Sequence, residues 1–271
     1  MENAVKFEAF DFAKRLKSML KVDMRRMWRS RLFYIILAAA LVVPILMTVM
    51  MSMMDGSVSV NPETNVETVI HGPENTWQNL GTLPGGEALG GTEVFMMCNI
   101  NMAFMGVAVF VCLFISDDFR SGYAKNLFTV RSKKSEYIIS KTLSGIVCGA
   151  LMLIAYFVGS VLGGAIAGLS FDLSAFGLTI GNLAMCMLAK IFLMPVFVSI
   201  FVCVSVAAKQ KSWLSICGSL GGGMLLFMMT DLIAPVGAMP INVALCLVGG
   251  ILFALGLGAA SNAVLKKTSL V

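Results

Sequence analysis

Residues 32–54 read LFYIILAAALVVPILMTVMMSMM and contain no charged side chain. A helix needs about 20 apolar residues to cross the hydrocarbon core of a bilayer, and this run is long enough to do so. Backbone polar groups inside a bilayer must be satisfied within the segment, so such a run is predicted to be helical. Five further long apolar runs lie near 93–115, 138–168, 179–207, 213–233 and 241–264. The sequence therefore predicts an all-α polytopic membrane protein with six transmembrane helices.

The basic residues predict the orientation of these helices. Only Lys190 of the 20 Lys and Arg residues lies deep inside an apolar run. The others fall in four segments: 1–31, 116–141, 209–211 and 266–267. A six-span topology places all four segments on one side, and the positive-inside rule assigns that side to the cytoplasm. We therefore predict a multi-pass protein of the cell membrane with both termini in the cytoplasm.

The largest segment on the opposite side is the loop 55–92. It contains acidic residues but no Lys or Arg, as expected of a translocated loop. It is rich in Gly, Pro, Asn and Thr and shows no strong helix or strand period. We predict an irregular outer loop with room for short helices, and we assign it no ligand.

Residues 7–30 have the period of an amphipathic helix. Apolar side chains recur there at steps of three and four residues: Phe12, Leu16, Met19, Leu20, Met24, Met27 and Trp28. Lys and Arg fill the gaps, so the helix is predicted to lie in the membrane interface with its cations against lipid head groups. The alternative is a solvated basic tail with chance periodicity.

The sequence carries no catalytic constellation. No Gly precedes a Lys, so a phosphate-binding loop of the form G-x-x-x-x-G-K-[ST] is absent. His71 is the only histidine, which excludes the common His-based metal sites and triads. The 7 cysteines all fall within predicted spans, where a disulfide framework is not expected. We expect a chain that is not an enzyme and has no metal site or cofactor of its own.

Lys190 lies in the fourth predicted span, where a charge is costly and marks a candidate functional site. Two interpretations are open. In the first, Lys190 faces a polar cavity or pairs with an acid such as Glu93 or Asp231. In the second, its long aliphatic stem lets the ammonium reach the membrane interface. Asn99 and Asn101 in the second span are weaker candidates for the same translocation pathway.

Residues 116–141 read SDDFRSGYAKNLFTVRSKKSEYIISK. They contain an acid, a basic residue, Ser-Gly, a short helical segment, a basic turn and a Tyr-x-x-x-Lys entry into the third span. This order resembles the signature region of type-2 ATP-binding cassette (ABC) permeases. The amphipathic N-terminus is similar to the elbow helix of that family, and its matching residues are Arg25, Arg26, Trp28, Arg29 and Arg31.

The resemblance implies an elbow helix over 1–31 and a six-helix transmembrane domain over 32–271, with an outer loop at 55–92 and a coupling loop at 116–137. It also implies a homodimer of permease subunits, each docked on a separate ATPase that binds ATP and Mg. The residues expected to couple to the ATPase are Asp117, Asp118, Phe119, Arg120, Ser121, Gly122, Tyr123, Asn126 and Leu127. A short helix over 117–127 is expected to present its aromatic and leucine side chains to that partner. Membrane lipids are the other expected contact, and no nucleic acid is expected.

The small size and the large first outer loop look most similar to Gram-positive permeases that export peptides or confer immunity to antimicrobial peptides. The cargo implied is an amphipathic peptide or another hydrophobic molecule. A secondary transporter driven by an ion gradient is the alternative, but such proteins usually need carboxylates near the membrane midplane. A polytopic membrane enzyme ranks third because no acid or nucleophile cluster lies in the membrane.

Overall fold

The computed structural model describes residues 12–60, 67–69, 72–81, 83, 99–130 and 134–267. Within these ranges the chain forms eight α-helices and one two-stranded hairpin. The helices are α1 (Phe12–Arg29), α2 (Arg31–Met53), α3 (Met102–Arg120), α4 (Tyr123–Val130), α5 (Lys134–Ala167), α6 (Ile180–Ala208), α7 (Ser212–Ile233) and α8 (Pro240–Lys267). The strands are β1 (Val58–Val60) and β2 (Glu67–Val69).

Five of the described helices (α2, α3, α5, α6 and α8) are long and apolar enough to cross a membrane, and α7 contains a shorter apolar stretch. This confirms the prediction of an all-α polytopic membrane protein. Helix α5 has 34 residues and is about 50 Å long at 1.5 Å per residue, so it exceeds the bilayer core. The first residues of the predicted second span, 93–98, lie outside the described residues.

Helix α6 is at the centre of the bundle. It packs against α3, α5, α7 and α8, while α2 packs along α5 and α1 lies against the start of α5. Aromatic stacking joins α3 to α6, since the ring centroids of Phe104 and Phe197 are 4.2 Å apart. Helix α8 leaves most of its apolar side chains exposed, which suits a helix that faces lipid.

Glycines allow the closest helix contacts. A Cβ added at Gly159 of α5 would collide with the carbonyl oxygen of Leu41 in α2, and one at Gly163 would lie 3.0 Å from the Cα of Ile45. Nearer the start of α5, a Cβ at Gly145 would lie 2.7 Å from Val198 of α6. Gly159 and Gly163 have the small-xxx-small spacing that lets helices approach closely, and here such glycines bring helices of one chain together.

The outer loop is more regular than the sequence predicted. Strands β1 and β2 pair in antiparallel register, with Val58 opposite Val69. A 3-10 helix, Thr76–Leu80, then packs on the bundle, and the Trp77 indole N–H donates to the carbonyl of Phe171 at 2.9 Å. The buried Asn79 amide donates to the Thr48 hydroxyl at 2.8 Å. These long-range contacts have no local period, which is why the sequence did not reveal them.

Candidate functional site

The turn between α3 and α4 is the first part of the candidate site. Helix α3 continues to Arg120, the backbone N–H of Ser121 donates to the carbonyl of Asp117 at 2.8 Å, and α4 begins at Tyr123. Gly122 has φ +75, a left-handed conformation that favours glycine. The predicted short helix over 117–127 therefore exists with different bounds, because residues 117–120 belong to α3 and the short helix α4 begins after the turn at Gly122.

Four buried or half-buried charges meet beside this turn: Asp23 and Arg26 of α1, Asp118 of α3 and Lys141 of α5. We call them the four-charge cluster. The Lys141 Nζ lies 2.8 Å from Asp23 Oδ1 and 2.7 Å from Asp118 Oδ2. The Arg26 guanidinium lies 2.6 Å from Asp118 Oδ1. Two acids and two bases therefore balance, which offsets the cost of removing them from water.

Polar and aromatic side chains surround the four-charge cluster. The Tyr137 hydroxyl donates to Asp118 at 3.0 Å, and the Ser140 hydroxyl donates to Asp23 at 2.5 Å. The Lys141 ammonium lies 3.8 Å from the centroid of the Phe114 ring, within range of a cation–π contact. Each carboxylate thus has hydrogen-bonding partners besides its ion pairs.

Arg26 remains charged in this environment. Burial disfavours the charged form, but the nearby carboxylates, Asp118 first, outweigh it and raise the pKa of the guanidinium above its usual value. The Arg26 side chain also lies over the ring of Tyr123, 4.4 Å from its centroid. The elbow helix therefore touches the first residue of α4 directly.

A second ion pair joins α1 to α5. The Arg15 Nε donates to Glu136 Oε1 at 2.9 Å, and the Glu136 side chain is buried. Helix α1 is thus attached to α5 at two levels, through Arg15 and through Asp23. The remaining elbow residues of the prediction, Arg25, Trp28, Arg29 and Arg31, are exposed.

Apart from Gly122 at the turn, the predicted coupling residues divide into two groups. Asp118 and Phe119 are buried, and Tyr123 and Leu127 are half-buried against the same chain. The exposed group comprises Asp117, Arg120, Ser121 and Asn126, together with Lys125 of α4. The expectation that Phe119, Tyr123 and Leu127 form one outward apolar face is therefore corrected. Phe119 instead packs edge-to-face on Tyr137.

Asp23 is the member of the four-charge cluster that the sequence analysis did not single out. The helical spacing of the sequence could have revealed it. Asp23 lies four residues after Met19 and four before Met27, which are both buried. An acid on the apolar stripe of an amphipathic helix is costly unless a partner helix supplies a cation. Lys141 supplies it.

A second polar cluster lies within the bundle. Lys190 of α6 is fully buried, and its Nζ lies 2.7 Å from Asn101 Oδ1 and 3.3 Å from Asp231 Oδ1. The side-chain amides of Asn101 and Asn99 donate to Asp231 at 2.8 Å and 3.1 Å. We call these four residues the intramembrane cluster. Lys190 therefore pairs with an acid and does not reach towards the interface; Glu93 lies outside the described residues.

The intramembrane cluster joins three helices and the outer loop. Asn101 precedes α3, Lys190 is in α6 and Asp231 is near the end of α7. A Cβ added at Gly81 of the outer loop would lie 3.1 Å from Asp231 Oδ1, so the loop packs directly on the acid. The cluster is a connection between elements rather than the lining of a described cavity.

Long apolar helices and two buried charge clusters define a polytopic α-helical membrane protein with no metal-binding group among its described residues. A family model described as ABC-2 family transporter protein matches residues 19–230, from the elbow helix into α7. The chain therefore belongs to the ABC-2 transporter family. No curated protein and no solved structure matches it.

Proposed function

We propose that this chain is the permease subunit of an ABC exporter and that a separate ATPase subunit drives it. Membership of the ABC-2 family favours an ATP-driven transporter over an ion-gradient one. The observation that carries the proposal is the four-charge cluster, which connects the α3–α4 turn to the elbow helix and to the longest helix of the described residues.

The docking surface for the ATPase is the exposed side of the α3–α4 turn. Ser121, Lys125 and Asn126 are exposed there and supply polar contacts. Asp118 was expected to contact the ATPase, but it is not part of this surface, because its carboxylate is buried and paired within the chain. ATP and Mg bind to the partner subunit and not to this chain.

The four-charge cluster transmits movement of this turn into the membrane. When the ATPase subunits close, they displace α4. Asp118 holds Arg26 and Lys141 at ion-pair distance, so α1 and α5 follow the turn as one body. Buried, geometrically demanding contacts resist bending and favour rigid-body movement. Helix α5 then carries the movement towards the outer side.

This movement breaks the contacts of the intramembrane cluster, which lies towards the outer side of the bundle. Helices α3, α6 and α7 are held together there by Lys190, Asn101 and Asp231. Separation of Lys190 from Asp231 frees α7 from its neighbours. A second copy of the chain completes the pathway, and exposed methionines at the end of α2, such as Met50 and Met53, suit a flexible amphipathic cargo.

The proposed orientation places α1, the α3–α4 turn and both termini in the cytoplasm. An impermeant thiol reagent applied to intact cells should label Ser57→Cys, which is exposed beside the hairpin. It should label Ser121→Cys only after the membrane is permeabilised. The unsubstituted chain, with its native cysteines, gives the background. Labelling of Ser121→Cys in intact cells would refute the orientation.

The docking surface is tested by the double variant Lys125→Glu/Asn126→Ala. Charge reversal and loss of an amide on the exposed side of α4 should reduce the ATPase that co-purifies by about tenfold, equivalent to about 1.4 kcal/mol. Lys267→Glu makes the same charge change at an exposed site at the end of α8 and should leave the yield unchanged. Equal yields from the double variant and the wild type would place the contact elsewhere.

A further inference from the structure

A cleft of about 290 Å³ opens where the starts of α2 and α7 meet the end of α3. Its rim is polar and includes Ser30, Asp117, Arg120 and Ser212. Its floor is apolar and includes Leu113 and Phe114. None of the lining residues belongs to either charge cluster, although Phe114 and Asp117 adjoin the four-charge cluster through Lys141 and Arg26. Neither the docking surface nor the transmission of movement uses the cleft.

The rim holds one acid, Asp117, and one base, Arg120, and the residues next to it in the chain include more bases than acids. Arg120 is exposed, and no described carboxylate lies within ion-pair distance of it. The one acid of the rim, Asp117, lies 3.8 Å from the guanidinium of Arg26 and is partly neutralised by it. Four more cations flank the rim residues in the chain: Arg29, Arg31, Lys209 and Lys211. An anion is therefore the favoured occupant of the rim.

The apolar floor determines which anion fits. Ser30 and Ser212 stand immediately before and at the start of the apolar helices α2 and α7, so the rim is at the level where head groups meet acyl chains. A free phosphate would occupy the rim and leave Leu113 and Phe114 uncovered. A phospholipid would occupy both parts at once.

We propose that this cleft binds one anionic phospholipid. Its phosphate accepts hydrogen bonds from Arg120 and from the hydroxyls of Ser30 and Ser212, and one acyl chain covers Leu113 and Phe114. The lipid then lies between the elbow and the end of α3, where Arg120 is two residues from the turn at Gly122. This inference does not depend on the identity of the ATPase.

The test is native mass spectrometry of the full-length chain, with any subunit that co-purifies, after extraction from vesicles of phosphatidylglycerol and phosphatidylcholine. The wild type should retain one phosphatidylglycerol in preference to phosphatidylcholine. Arg120→Gln should weaken that retention roughly tenfold, because it removes a charged donor to the phosphate. Lys267→Gln removes one exposed cation away from the cleft and should retain lipid as the wild type does.

Two further experiments distinguish a bound lipid from a bound free anion. Leu113→Trp fills the floor and should also reduce phosphatidylglycerol retention, although it leaves the rim intact. Inorganic phosphate at millimolar concentration should not displace the lipid. Equal retention of both phospholipids, wild-type retention by Arg120→Gln, or displacement by phosphate with no effect of Leu113→Trp would each overturn the proposal.

Discussion

Lys141→Met is expected to lower the free energy of unfolding by about 3–5 kcal/mol, because it leaves two buried carboxylates without their shared cation. Asp23 and Asp118 are each at most 1% exposed and both lie within 2.8 Å of the Lys141 ammonium. Methionine preserves most of the side-chain volume, so the loss is one of charge and hydrogen bonding. The measurement is the midpoint of thermal or denaturant unfolding of the extracted protein.

Two control variants make this result specific. Lys266→Met removes an exposed ammonium near the end of α8 and should leave the unfolding midpoint within experimental error. Lys141→Arg keeps the charge and should recover much of the stability. If Lys141→Met unfolds at the wild-type midpoint, the four-charge cluster does not hold α1, α3 and α5 together, and the proposed transmission fails with it.

Lys190→Met is expected to destabilise the protein by a smaller amount, about 1–3 kcal/mol, and to change transport. The effect is smaller because the Asp231 side chain is 32% exposed and water screens the charge that remains. Freed from Lys190, α7 should separate from α3 and α6 more easily. The unstimulated rate of ATP hydrolysis should therefore rise, and hydrolysis should depend less on cargo than in the wild type.

The double variant Lys190→Met/Asp231→Asn is the matched comparison for the intramembrane cluster. It removes both charges, keeps one of the two acceptor oxygens that the amides of Asn99 and Asn101 use, and should be more stable than Lys190→Met alone. Wild-type stability and transport in Lys190→Met would show that the ion pair with Asp231 is not part of the working protein.

The sequence predicted the parts of the fold that depend on local pattern. An apolar run such as 32–54 must be helical in a bilayer, and the three- and four-residue steps of 7–30 indicate an amphipathic helix without any knowledge of neighbours. The order of motifs in 116–141 was enough to identify the family that the family model then confirmed.

The sequence did not predict which side chains of the coupling region face inward. Asp118 and Phe119 look like partner contacts because they lie in a polar loop that the basic residues predict to be cytoplasmic. They nevertheless meet residues of α1 and α5 that are distant in the chain. Register between helices is set by packing, which no single helix period reveals. The structure of the outer loop was not predicted for the same reason. Its residues Trp77 and Asn79 contact α5, the loop that follows α5, and α2.

The central claim is that a separate ATPase drives this chain. Its most direct test is purification of the tagged wild-type protein from its native membranes, followed by identification of every associated subunit and assay of ATP hydrolysis. The account predicts an ATP-binding cassette subunit in stoichiometric amount, with hydrolysis in the purified complex. A chain that purifies without any ATP-hydrolysing subunit, and still transports its cargo in vesicles without ATP, would contradict it.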